Sequence, residues 1–249
     1  MGTACPYKGG RMKRELTNKE QYSNLWEKES QFLESHGIYS LLSKITPPGK
    51  VLEFGCGIGN GTHHLSIDHE VLSLDSNSRL IEKARSRASG NVAFYQCDFF
   101  HLNDKDKAVI ADFNPQVVVG WFIGGCGIDI FKHTEEEPDE VAKSKLYREK
   151  IEDTIVSPSI CLGSVDYIHL VNRGGLAAGF SEAELFKSTK DDYDTHVFRE
   201  VGFEVVEVKN IDWPREGSDF QYGQAHNPNF AGGQVIPTIT SIVAKRVKP

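Results

Sequence analysis

Apolar residues in this chain gather in short runs set between longer polar stretches with a different rhythm. Val51-Leu52-Glu53-Phe54, Val71-Leu72-Ser73-Leu74, Val92-Ala93-Phe94-Tyr95 and Gln116-Val117-Val118-Val119-Gly120-Trp121 are short and rich in β-branched and aromatic residues, as strands buried on both faces are. Between them lie segments of helical length, such as Asn77 to Ala88, which ends before Gly90. Tyr22, Leu25, Trp26, Phe32 and Leu33 lie along one side of a helix that Thr17 would cap, with Glu20 three residues later. A shorter helix is expected from Ile38 to Lys44, broken by Pro47-Pro48-Gly49. Strands alternating with helices predict an α/β fold with a doubly wound, mostly parallel sheet.

The loop after the first run carries the most chemical information. Glu53-Phe54-Gly55-Cys56-Gly57-Ile58-Gly59-Asn60-Gly61 puts an acid before glycines on alternate positions, and Asp75 closes the next run. Glycines let a backbone turn sharply and approach a ligand. An acid about 20 residues on can accept from both hydroxyls of a ribose. A P-loop needs a Lys before Ser or Thr, and the turn has no Lys. A dinucleotide fingerprint wants a third glycine where Asn60 stands. Glu53 would repel a pyrophosphate but suits a ligand with an ammonium group.

With these residues the chain resembles the class I S-adenosylmethionine-dependent methyltransferases of small-molecule type. Their first motif is matched by Glu53 to Gly59, their second by Asp75 and their third by Asp98. In the same comparison Tyr167 to Leu176 looks like the helix and turn leading into strand five, with Asn172-Arg173 in place of the usual Lys-Pro. Val197 to Val206 looks like a helix, a Gly-Phe turn and strand six, and Thr240 to Val247 looks like strand seven. The resemblance covers roughly residues 20 to 249. It implies a Rossmann-like sheet of seven strands with the last antiparallel, and S-adenosylmethionine as cofactor. Glu53 would then lie near the methionine ammonium, with Gly55, Cys56 and Gly57 passing beneath the amino acid and ribose. Asp75 would take the ribose hydroxyls beside Ser76, and Asp98 and Phe99 the adenine. Tyr22 and Trp26 would sit on a lid helix over the donor, and Trp121 beside the transferred methyl or simply at the end of the core.

Composition narrows the partners. Among 249 residues the formal charge is −7 and no dense Lys/Arg run occurs, which argues against a nucleic-acid partner. No apolar stretch reaches membrane-spanning length, and a cytoplasmic protein, monomer or homodimer, is expected. The five cysteines are scattered without C-x-x-C pairing, so no metal site is expected. Residues 1–17 are expected to be flexible, and 18–249 to form one domain with an N-terminal lid over 18–46. Two insertions stand out, at 124–163, with a charged helix from Pro138 to Asp153, and at 212–237. The aromatics of the second either wall an aromatic or amphiphilic substrate or pin the loop to the sheet. Asp129, His133 and His226 are the candidates for a general base that can reach a cleft; His169, in an expected helix, reads as structural. Two other readings stay open: a non-methylating enzyme on this fold (cyclase, decarboxylase or aminopropyl-transferase-like), and an inactive donor-binding partner subunit.

Overall fold

The computed structural model describes residues 18–88, 90–218 and 235–247, with only the backbone described at Glu140 and Val141. The expected flexible segment 1–17, Thr17 and most of the second insertion, with Phe220, Tyr222, His226 and Phe230, lie outside the described residues. The elements run α1 (Lys19–Ser35), α2 (Ile38–Ile45), β1 (Val51–Phe54), α3 (Asn60–Asp68), β2 (Val71–Asp75), α4 (Ser78–Arg87), β3 (Val92–Gln96), α5 (Asp104–Phe113) and β4 (Val117–Trp121). They continue with α6 (Gly127–His133), α7 (Glu140–Ile155), β5 (Tyr167–Ala177), α8 (Glu182–Tyr193), β6 (Phe203–Asp212) and β7 (Val235–Arg246). The seven strands form one sheet in the order β3-β2-β1-β4-β5-β7-β6. β7 is antiparallel to both β5 and β6, and the other pairings are parallel. The strand order reverses between β1 and β4, which opens a crevice at their carboxyl ends.

Two expectations shift. The cap of α1 is Asn18, whose side chain accepts from the Gln21 N–H while Gln21 reaches back to the Asn18 N–H. More substantially, residues 167–177 are not a helix and turn but strand β5 itself. Gly174 and Gly175 pair with Thr238 and Pro237 of β7. A Cβ on Gly175 would meet the Val235 side chain at 2.3 Å, so this glycine serves close packing between strands rather than a turn. The helix α6 was not foreseen, and α7 begins two residues later than expected.

Side-chain alternation along the strands sorts the core into two layers. Leu52, Phe54, Leu72, Leu74, Val118, Ile168 and Leu170 face one layer with Ile110, Ile151 and Ile155. Val51, Val71, Val117, Val119 and Val171 face the other, with Trp26, Leu33, Leu42, Leu65 and Leu80. The second face carries polar residues in its middle. Glu53 pairs in register with Ser73 on one side and Val119 on the other, and Val119 pairs with His169.

His169 shows how that row is satisfied. It is fully buried, and burial pulls its imidazole down to about 3, so it stays neutral. The Trp121 indole N–H donates to Nδ1 at 3.3 Å, and Nδ1 also lies 2.9 Å from Thr46 Oγ1. A ring accepting at Nδ1 carries its proton on Nε2 and donates it to Ser241 Oγ at 2.8 Å. The imidazole thus ties β4, β5, β7 and the segment after α2 together. Replacing His169 by Leu strands the indole N–H and the serine hydroxyl. Equilibrium urea unfolding is expected to register a loss of about 2–4 kcal/mol, and an unchanged midpoint would remove this residue's structural role.

Candidate active site

The crevice at the switch in strand order is a cleft of about 430 Å³. Its floor comes from the tips of β1 to β4. α1 forms one side, and the α6–α7 unit forms the other. Of the residues singled out in the sequence, Tyr22, Trp26, Gly55, Gly57, Asp75, Ser76, Asp98, Phe99, Trp121, Asp129 and His133 all line it. Glu53 and Cys56 do not. They line a smaller chamber of about 10 Å³ behind the glycine turn, which shares Trp26, Gly55, Gly57 and Trp121 with the cleft. That chamber has room for about one water.

The turn after β1 takes its shape from glycines at φ 79°, 52° and 90° for Gly55, Gly57 and Gly59. A Cβ on Gly55 would meet nothing within 4 Å, so its open face can receive a ligand's chain. At Gly57 a Cβ would strike the Trp26 indole nitrogen at 2.5 Å, so the α1 tryptophan lies directly over the turn. Asp75 locks the turn to β2: Oδ2 accepts from the Gly57 N–H at 3.2 Å and Oδ1 from the Asn77 N–H at 2.8 Å. Burial lifts the Asp75 carboxyl to about 6 against these hydrogen bonds. Asn77 caps α4 and its side-chain amide donates to Ser23 Oγ of α1 at 2.8 Å, so the same tip anchors the covering helix.

Glu53 points to the α1–α3 face because β1 alternates. Its Oε2 accepts from Thr62 Oγ1 at 2.6 Å and Ser73 Oγ at 2.5 Å. Burial outweighs both and lifts the carboxyl to about 7. Asp98 differs: burial raises it, but the Phe100 N–H at 3.0 Å and His101 Nδ1 at 3.2 Å win and hold it below the usual range. Asp75 and Asp98 stand at the cleft at or just beyond the ends of neighbouring strands and Glu53 lies behind its floor, an acid set that fits a donor with a ribose, an adenine and an ammonium.

Several residues in or behind the cleft wall carry no signal in the sequence. Phe122 has φ 55°, a costly conformation for a non-glycine residue, and turns its ring toward Trp26 and Tyr39 at 6.5 and 6.0 Å. Arg173 stacks over Trp26, Phe122 and Trp213 at 5.0, 5.1 and 6.0 Å and lies 3.6 Å from buried Glu29. No spacing rule marks a mid-strand arginine as a clasp for a distant helix. On the far wall His133 stacks on Phe100 at 4.3 Å, and Tyr147 meets the same ring edge-on at 5.2 Å. Burial lowers the His133 imidazole and raises the Tyr22 and Tyr147 phenols. Among the described residues no group of three or more His, Cys, Asp or Glu could hold a metal ion, and no helix is long and apolar enough to cross a membrane.

The glycine turn, strand-tip acids and antiparallel seventh strand define the Rossmann-like methyltransferase fold. Residues 51–117 match the family described as methyltransferase domain. The match runs from β1 to the start of β4, so this stretch of the chain is a methyltransferase domain, a kind that takes S-adenosylmethionine as cofactor. No protein of curated function matches it in sequence. Among solved structures, it is similar to a chain in the complex between the Haloferax volcanii Trm112 methyltransferase activator and a candidate methyltransferase. Identity is 12%, coverage 93% of this chain and 100% of that one, and the TM-score 0.51. It is also similar to N-methyltransferase NodS from Bradyrhizobium japonicum WM9 with S-adenosyl-L-homocysteine (13% identity, 94% and 96% coverage, TM-score 0.46). A third is magnesium protoporphyrin IX methyltransferase from Synechocystis PCC 6803 with S-adenosylmethionine (13% identity, 92% and 85% coverage, TM-score 0.40).

The raised Glu53 carboxyl has a measurable consequence. Its folded value of about 7 exceeds the ordinary 4.5, so the folded state binds the proton more tightly than the unfolded chain does. That contribution is present below pH 4.5 and is lost as pH rises through 7. Glu53→Gln does not titrate. Its melting temperature relative to the parent protein is expected to climb between pH 5 and 8, by an amount approaching about 3 kcal/mol in stability. A difference independent of pH would contradict this.

Proposed function

We propose that the chain transfers a methyl group from S-adenosylmethionine to an O, N or C nucleophile of a small molecule. The observation that carries this reading is the size of the cleft. Donor and acceptor must share about 430 Å³ between α1 and the α6–α7 wall, a volume in the range of small-ligand sites. The net charge of −7 also leaves a nucleic-acid acceptor without a basic face.

When bound, the cofactor supplies a methyl activated by a sulfonium. The chain's residues hold and orient. Asp75 takes the ribose hydroxyls, with Ser76 at its side, and Asp98 and Phe99 take the adenine edge and face. The methionine end passes Gly55 and Gly57, with Cys56 turned away beneath them and the Glu53 carboxyl answering the ammonium through the small chamber. Tyr22, Trp26 and Trp121 present aromatic faces to a cation. Holding nucleophile, methyl and sulfur in line, away from water, accounts for much of the rate. A hydroxyl acceptor also needs a base, for which Asp129 and His133 stand on the cleft wall. A soluble cytoplasmic monomer or homodimer acting without metal is part of the same reading.

Calorimetric titration with S-adenosyl-L-homocysteine is expected to give saturable 1:1 binding. Asp75→Ala is expected to weaken it at least tenfold, about 1.4 kcal/mol or more. Mass spectrometry with methyl-labelled donor and cell extract should find the label in compounds of low mass. No heat with the parent protein, or label only in RNA or protein, would overturn the proposal.

A further inference from the structure

The wall opposite the donor acids is built by the insertion after β4. Ile123, Gly124 and Gly125 run along the cleft, and the Gly124 and Gly125 backbones make no hydrogen bond to any described residue. Two tyrosine hydroxyls close on this ribbon. A Cβ on Gly124 would lie 3.5 Å from Tyr22 Oη, and one on Gly125 would lie 2.5 Å from Tyr147 Oη. Tyr147 is 7% exposed, and its hydroxyl has no hydrogen-bond partner among the described residues although it lines the cleft. The hydroxyl opens onto the cleft, where a ligand can take the place of water as its partner.

The same wall carries one carboxylate. Asp129 lines the cleft from the first turn of α6, and its Oδ2 accepts from the Cys126 thiol at 3.2 Å. A carboxylate has about four acceptor sites, so a single thiol leaves most of them available. The cationic side chains among the cleft residues, Lys19 and Lys132, are exposed at the rim, and burial lowers the His133 imidazole. The buried cation nearest this wall, Arg173, is engaged by Glu29 and by the Trp26, Phe122 and Trp213 rings, whereas Asp129 offers an N–H donor or cation a carboxylate among aromatic rings.

We propose that this wall is the acceptor subsite and that it takes an amine. The nitrogen donates to Asp129, its further polar contact is the Tyr147 hydroxyl or the Gly124–Gly125 backbone, and a flat substituent lies against Phe100 and Tyr147. The inference rests on the methyltransferase reading and narrows it to N-methylation.

The test uses the full chain saturated with S-adenosyl-L-homocysteine, whose own binding is measured first. Benzylamine, benzyl alcohol and benzoate are then titrated by calorimetry and by melting temperature. Benzylamine is expected to bind at least tenfold more tightly than either matched probe. Asp129→Asn should abolish that preference while the affinity for S-adenosyl-L-homocysteine changes less than twofold, which also reports that the variant is folded. Tyr147→Phe should weaken benzylamine by about threefold or more. Equal or tighter binding of the alcohol or benzoate, survival of the preference in Asp129→Asn, or binding of none of the three would overturn the amine assignment. Absence of S-adenosyl-L-homocysteine binding would instead strike the donor reading.

Discussion

The site depends on one hydrogen-bonded junction, where the Asp75 carboxylate accepts the Gly57 N–H from the neighbouring strand's turn and the Asn77 N–H from its own. The turn after β1 has three left-handed glycines in five residues and could fluctuate among many shapes. A carboxylate at the tip of β2 selects one. It fixes the start of α4 through Asn77, and the Asn77 side chain in turn holds Ser23 of α1. Floor, turn and cover are thereby set by the tip of one strand. The junction is possible because β1 and β2 pair in parallel register, Phe54 with Leu74, which brings both carboxyl ends to the same edge.

Cover and wall attach by different physics. α1 buries Ser23, Glu29 and Ser30 along with Trp26 and Leu33. Its polar residues find Asn77, Arg173, Asn60 and Tyr39. An interface of that kind exchanges hydrogen bonds with water at modest net cost. The α6–α7 wall is packed into the core by Tyr147, Ile151 and Ile155. The last carbonyls of α6 accept from lysines on α7, at His133 from Lys150 and at Thr134 from Lys143. Cations at a helix carboxyl end complement its dipole.

The donor half of the cleft was legible in the sequence because it follows strand periodicity and glycine spacing. Runs such as Val117 to Trp121 identify themselves as buried strands, and the acids fall at their ends. β5 was misread because Asn172-Arg173-Gly174-Gly175 carries turn chemistry, yet pairing with β7 across eleven residues overrides that local preference. The acceptor half was legible only in Asp129 and His133. Tyr147 sits in a charged helix whose apolar stripe is weak, and its place beside Gly125 depends on how the α6–α7 unit folds back, a tertiary fact with no local signature. Arg173 is the same kind of case: its partners Trp26, Phe122 and Trp213 come from three distant segments.

The two buried acids on the α1–α3 face extend the argument to stability. Glu53 and Asp75 both lie on that face and both titrate above their ordinary values because burial outweighs their hydrogen bonds. A core selected for stability alone would place valine at these positions, as it does at Val51, Val71 and Val119. Carboxyls kept there near the edge of ionisation hold unspent affinity for positive charge and for hydroxyl donors, which a ligand carrying an ammonium and a ribose can satisfy. Binding at this edge and folding of this edge are therefore linked: the ligand returns to the folded state part of what desolvating the two acids took from it.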